Sequence, residues 1–377
     1  PWFQKFSGAY SPYGNDQHPY LIWNLYRIDA DGRIEQIGRS GVKHAWLTTN
    51  TSCDSNPGDG HILGRGCTDT YSTGNNDAIG DLGPREEIIP STGQWGRCKS
   101  VFDRDCNGAR DSQSPCSNLP TGNTSACQNW AFRLTVPAGQ LMPATYPNAT
   151  YWMESWYIVR DDINIYNTMQ TRPVTFSLSG TSWLISNRPM NELALGPAID
   201  RWMPRGTSTS TELSTDINTR QGQARLATRV TELPNGKWRY DYVVANFDYM
   251  QAKTAGDELN LEIISNIGFV SFGVPSSSAS ALTELSFSDG DEKAANDWQV
   301  TTSSDEVTWL PVADQKNNLD WGTMFRFSLV SDEAPVSGDI KLGVFGRPAL
   351  DVAALIPGTG VTPQPLLIDG FEAVLEE

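Results

Sequence analysis

The stretch 226–244 limits the fold of this chain more than any other. Leu226, Thr228 and Val230 recur at every second position, Pro234-Asn235-Gly236 follows, and Trp238, Tyr240, Tyr242 and Val244 resume the alternation. Every second side chain of a strand shares one face, and Asn-Gly accepts the positive φ that a tight hairpin turn requires. The spacing predicts a β-hairpin with one apolar face, which a second sheet must cover. Further strands are predicted at 259–264, 267–273, 283–287, 298–302, 306–310, 322–330 and 339–346. So many short strands within 206–350 predict an all-β sandwich of immunoglobulin, fibronectin-III or jelly-roll type.

The first half is also β-rich but less regular. Residues 20–38 read as a hairpin turning at Asp31-Gly32, and strands are predicted at 129–137, from 151, at 173–179 and at 182–186. A short helix is expected near 190–203, and the Thr/Ser-rich stretch 206–220 reads as a linker. A length of 377 residues suits two domains. The expected division is 1–205, 206–350 and a C-terminal tail 351–377, which packs as an edge strand or stays loose.

The six cysteines, Cys53, Cys67, Cys98, Cys106, Cys116 and Cys127, all fall in the aperiodic stretch 50–127. No Cys-x-x-Cys pair occurs, which speaks against a zinc ribbon or redox motif. An even number in one Gly/Asn/Ser/Asp-rich region predicts three disulfides pinning a long insertion, with the pairing left open. Disulfides persist in oxidising surroundings. The expected location is therefore secreted, extracellular or at the cell surface, and the periplasm meets the same condition. The chain opens at Pro1 without a charged-then-apolar leader and reads as a mature form.

Net charge is −16 and no basic cluster interrupts it, so nucleic acid is not an expected partner. No apolar run approaches the roughly 18 residues of a membrane helix, so no transmembrane segment is expected. Phosphate-binding glycine loops, dinucleotide fingerprints, Gly-x-Ser-x-Gly elbows and His-Glu-x-x-His are absent, and no nucleotide cofactor is expected.

Three constellations could carry chemistry. Asp103, Asp105, Asn107, the carbonyl of Ala109 and Asp111 follow the spacing of a calcium loop, with Gly108 at its sharp turn. Ser114 replaces the closing carboxylate, and Cys106 lies inside the loop. His18, His44 and His61 are the only histidines and could together hold copper or zinc, although their spacing matches no local motif. Glu154, Asp161 and Asp162 lie beside Trp152, Trp156 and Tyr157, the ingredients of a glycosidase: an acid, an ionised partner and a stacking platform.

Several segments resemble a family of uncharacterised secreted bacterial all-β proteins of gammaproteobacterial type. They include Gln17-His18-Pro19, Asn24-Leu25-Tyr26-Arg27, Gly32 to Gly38, Lys43-His44, Leu63 to Asp69 and Leu82-Gly83-Pro84-Arg85. Tyr157 to Asp162, Trp238 to Tyr242, Asn266 to Phe269 and Leu319 to Thr323 continue it. The resemblance spans most of 15–347 and implies export and one continuous unit, not a chemistry. Relative to that pattern, 98–127 looks like an addition. Ile368-Asp369-Gly370-Phe371-Glu372 is similar to a short C-terminal segment of exported gammaproteobacterial proteins.

The expected function is that of a secreted structural or binding protein, acting at a surface or matrix or on carbohydrate, with structural calcium. Its 13 Trp and 12 Tyr would supply flat platforms for carbohydrate or another extracellular polymer. The alternative is a secreted copper or zinc enzyme, an oxidase, monooxygenase or hydrolase, using the three histidines with Asp69, Glu154 or Asp161. A homo-oligomer is compatible with either.

Overall fold

A computed structural model describes residues 4–5, 19–44, 49–60, 62–67, 82–109, 111, 132–160, 162–187, 192–257, 260–276, 281–313 and 317–358. It is all-β as expected, with antiparallel sheets and, among the described residues, one turn of α-helix at Ile199–Trp202.

The predicted hairpin forms in full. Gly222–Glu232 pairs with Trp238–Asn246, which pairs with Thr323–Ser331. Glu212–Thr219 and Thr283–Ser288 complete a five-stranded middle sheet. A second five-stranded sheet faces it, in the order Gln299–Thr302, Glu306–Leu310, Phe269–Pro275, Pro335–Val344, Leu350–Pro357. Between them lie Tyr240, Tyr242, Val244, Phe272, Trp309 and Phe327, all fully buried. The rings of Phe272 and Phe327 stack 4.1 Å apart. Burying one such side chain contributes about 1.5–3 kcal/mol.

The middle sheet is buried on its other face too. Every residue of Thr323–Ser331 is buried, as are the last seven of Trp238–Asn246. The cover is an eight-stranded N-terminal sheet. Its main path runs Ser182–Asn187, Met169–Ser179, Thr150–Ile158, Tyr20–Ile28, Val42–His44, Leu82–Gly83. Ile34–Arg39 pairs with Tyr20–Ile28, and Ala194–Leu195 with Met169–Ser179. Tyr20, Ile22, Tyr26 and Trp156 pack on Ala227, Val243, Ala245 and Met324 of the middle sheet. The halves are thus three stacked layers sharing one sheet. Charge joins them as well: Glu35 accepts from Arg27 Nη2 at 2.9 Å and from Arg326 of the middle sheet. Within the middle sheet, Ser328 Oγ donates to Asp241 Oδ1 at 2.6 Å.

Four expectations change in detail. Half of the stretch 206–220 is the strand Glu212–Thr219 rather than linker, because Ile217 faces the sandwich core while Thr and Ser tolerate its open side. Residues 129–131 lie outside the described residues, and 132–137 give only the isolated bridge Thr135–Arg39; Leu134 and Val136 cover Leu25 and Ile37. Leu350–Pro357, placed in the tail, is the edge strand of the outer sheet. Within the cysteine-rich stretch, Ile88, Trp95, Val101 and Phe102 are core residues, so 82–103 is part of the fold and not an appendage.

Candidate functional site

The three layers leave a seam where the N-terminal sheet meets loops of the sandwich. Two open lobes, about 510 and 280 Å³, line up along it and share Arg39, Thr135 and Asn317. Arg39 ends the strand Ile34–Arg39, Thr135 belongs to the segment bridged to it, and Asn317 precedes the middle-sheet strand Thr323–Ser331.

The larger lobe is walled by the turn Asp289-Gly290-Asp291, which follows the strand Thr283–Ser288. Asp289 Oδ1 accepts from the Asp291 amide at 3.1 Å, and Asp291 Oδ2 from Asn296 Nδ2 at 3.1 Å. Gly290 has φ +82°, and an added Cβ would sit 1.4 Å from the Gln36 carbonyl oxygen. Only glycine lets this turn lie against the N-terminal sheet. Its position is relayed from the core. The buried Trp298 donates to the Asn317 carbonyl at 2.6 Å, and Asn317 Nδ2 donates to Asp289 Oδ2 at 2.6 Å.

Asp289, Asp291 and Asp297 bring carboxylate oxygens within 4.8 Å of one another, the one such His/Cys/Asp/Glu group among the described residues. Burial raises the Asp289 carboxyl, and Asp291 adds to the rise. Burial also raises Asp297, helped by the charges of Asp289 and Asp291. Crowded like charges of this kind are relieved by a cation, and hard oxygen donors suit calcium. The Oδ1 of Asn296 is buried without a hydrogen-bond partner.

The smaller lobe is bounded by Arg85, Glu86, Arg133 and Asp320. Arg85 is buried over the Trp321 ring and donates to the carbonyls of Ser40 at 2.7 Å and Gly322 at 2.8 Å, and to Asn24 Oδ1 at 2.9 Å. Burial, with the charge of Arg39, pulls it down to about 9. Asp320 Oδ1 accepts from the Gly268 amide at 2.9 Å. Burial pushes its carboxyl up to about 7, with Glu86 adding and Arg39 opposing. A carboxyl in a cleft that titrates near neutrality can act as a proton donor.

Of the three constellations singled out in the sequence, the described residues line neither lobe. Asp103 accepts from the amides of Asn107 and Gly108, both at 3.0 Å, and Asp111 pairs with Arg104 at 2.9 Å. Asp105 Oδ2 accepts from Asn107 Nδ2 at 2.8 Å, and Asn107 Oδ1 from the Ala109 amide at 2.8 Å. Asp103, Asp105 and Asp111 are not among the described carboxylate groups whose oxygens all lie within 4.8 Å of one another. Cys98–Cys106 closes this loop and Cys53–Cys67 a second one, while Cys116 and Cys127 lie outside the described residues. So do His18, His61, Asp69 and Asp161. His44 is buried in an aromatic box of Tyr20, Trp95 and Phe102.

Glu154 is buried between layers. It accepts from Asn24 Nδ2 at 2.8 Å, Tyr26 Oη at 3.2 Å and the Ala198 amide at 2.7 Å, and burial raises its carboxyl. The space beside it is about 10 Å³, room for one water and no sugar. Asp162 caps a turn through the Asn164 amide at 2.9 Å. Sequence reasoning missed Arg39, Asp289, Asp291, Asp297, Asn317 and Asp320; the run Asp289-Gly290-Asp291-Glu292 was the available signal. Compared with family models, with curated proteins and with solved structures, the chain matches none.

Proposed function

We propose that this chain is a secreted extracellular binding protein whose ligand site is the seam cleft, and that the ligand is a hydroxyl-rich polymer of carbohydrate type. The observation that carries the reading is the composition of the paired lobes. Arg39 and Arg133 line the lobes together with Glu86, Asp289, Asp291 and Asp320, and Asn317 is shared by both. Such mixed, amide-punctuated walls offer donors and acceptors together, which is what vicinal hydroxyls require. The acidic excess disfavours a polyanion. A divalent cation on Asp289, Asp291 and Asp297 would add coordination of ligand hydroxyls, and the two disulfides accord with export.

Glycan-array binding with calcium, compared with EDTA and with Arg39→Ala and Asn317→Ala, tests this. Binding that falls at least tenfold in both variants and in EDTA supports the reading. Binding unchanged in both variants places the ligand elsewhere. Asp320 favours one second reading, a hydrolase acting on the same polymer with Asp320 as acid. Release of shortened glycans by the wild type, lost in Asp320→Asn with binding retained, would select it.

A further inference from the structure

Among the described residues the strand Ser182–Asn187 ends the N-terminal sheet, and one side of its backbone pairs with no other described strand of that sheet. It forms a hairpin with Met169–Ser179, closing at Ser179–Ser182 around Gly180, whose φ is +63°. In an antiparallel ladder successive residues alternate between pointing their N–H and C=O inward and outward. With Ser182 paired inward, Trp183, Ile185 and Asn187 point outward. Edge strands are ordinarily blunted by Lys, Pro or inward charges. Within the hairpin none is present: residues 174–187 contain no charged side chain and no proline, in a chain of net charge −16, and Arg188-Pro189 follow directly in sequence. Leu178, Leu184 and Ile185 are half-exposed. Phe176 and Trp183 extend the outer-face cluster built on Leu25 and Val174 toward this edge.

We infer that this edge pairs with the same edge of a second copy of the chain, in an antiparallel register centred on Leu184. Two arguments select the occupant. Copies this acidic repel wherever charged surfaces meet, and the hairpin is an uncharged approach. The edge is also self-complementary. A two-fold axis at Leu184 sets Trp183 against Ile185 of the second copy, and Ile185 against its Trp183. These are residues whose polar backbone groups point outward, on the face that carries Phe176 and Leu178. Leu184 then meets its own counterpart on the opposite face. One axis therefore joins apolar side chains on both faces and satisfies the edge, as a closed two-fold dimer requires.

Sedimentation equilibrium of the full chain, with Leu184→Lys and Ile185→Lys, tests the interface. The expected result is a dimer that both lysine variants convert to folded monomer, their circular dichroism and melting cooperativity preserved. Leu184→Cys tests the register, because facing residues at a non-hydrogen-bonded antiparallel pair lie within disulfide reach. It should crosslink two copies on mild oxidation, whereas Ile185→Cys should not. A monomer at every concentration, a dimer untouched by both lysines, or crosslinking at 185 and not 184 would overturn the inference.

Discussion

Replacing Gly290 with alanine separates two costs that are usually entangled. The residue has φ +82°, so any side chain pays the left-handed backbone penalty, about 1–2 kcal/mol. Its Cβ would also lie 1.4 Å from the Gln36 carbonyl oxygen, forcing one backbone to retreat from the other. Overpacking of that kind costs about 1–3 kcal/mol. The retreat also strains the Asn317–Asp289 hydrogen bond, which contributes about 1 kcal/mol. Gly236 provides the matched control, with φ +79° and nothing within 4 Å of an added Cβ. Gly236→Ala should therefore pay the backbone penalty alone. Urea unfolding followed by tryptophan fluorescence should place Gly290→Ala about 2–3 kcal/mol below Gly236→Ala at equal m values. Equal losses, within about 0.5 kcal/mol, would refute the close seating of the acidic turn on the N-terminal sheet.

Glu35→Ala removes the carboxylate that Arg27 and Arg326 share between layers; because Arg27 keeps Asp29 and Arg326 keeps Ser328, the loss should be about 1.5–3 kcal/mol. Burial raises the Glu35 carboxyl, but the charges of Arg326 and Arg27 outweigh it and hold it low. Its contribution is present above the ordinary 4.5 and lost as pH falls through the lower folded value, so the variant's deficit should shrink in acid. A deficit that stays constant on acidification would count against that pairing. Glu87 has the opposite sign: burial pushes it from 4.5 up to about 8, so the folded state keeps a proton the unfolded chain releases. Stability should fall between pH 4.5 and 8 by at most about 4–5 kcal/mol from this group, and Glu87→Gln should flatten the slope in unfolding measured across that window. An unchanged slope in the variant would contradict it.

The sandwich was legible because its strands alternate: Trp238, Tyr240, Tyr242 and Val244 announce one face directly. Its second face was not. Ala227, Val243, Ala245 and Met324 pack among Arg225, Asp241 and Arg326, and buried charges interrupt the apolar pattern that period-2 reading depends on. For the same reason the N-terminal half read as a separate unit, although it supplies the third layer. Compact motifs drew attention to Asp103–Asp111 and to Glu154, whose acceptors are taken up by loop amides, Arg104 and a buried network. The cleft instead assembles Arg39, Asp289, Asn317 and Asp320 from segments far apart in sequence. Only packing brings those together.

The claim that the seam cleft is the ligand site is tested most directly by a crystal structure grown with calcium and a glycan selected on the array. The expected result is an ion among Asp289, Asp291 and Asp297 and glycan density against Asn317 and Arg39. Glycan ordered elsewhere on the molecule, with the cleft holding only water, would contradict it.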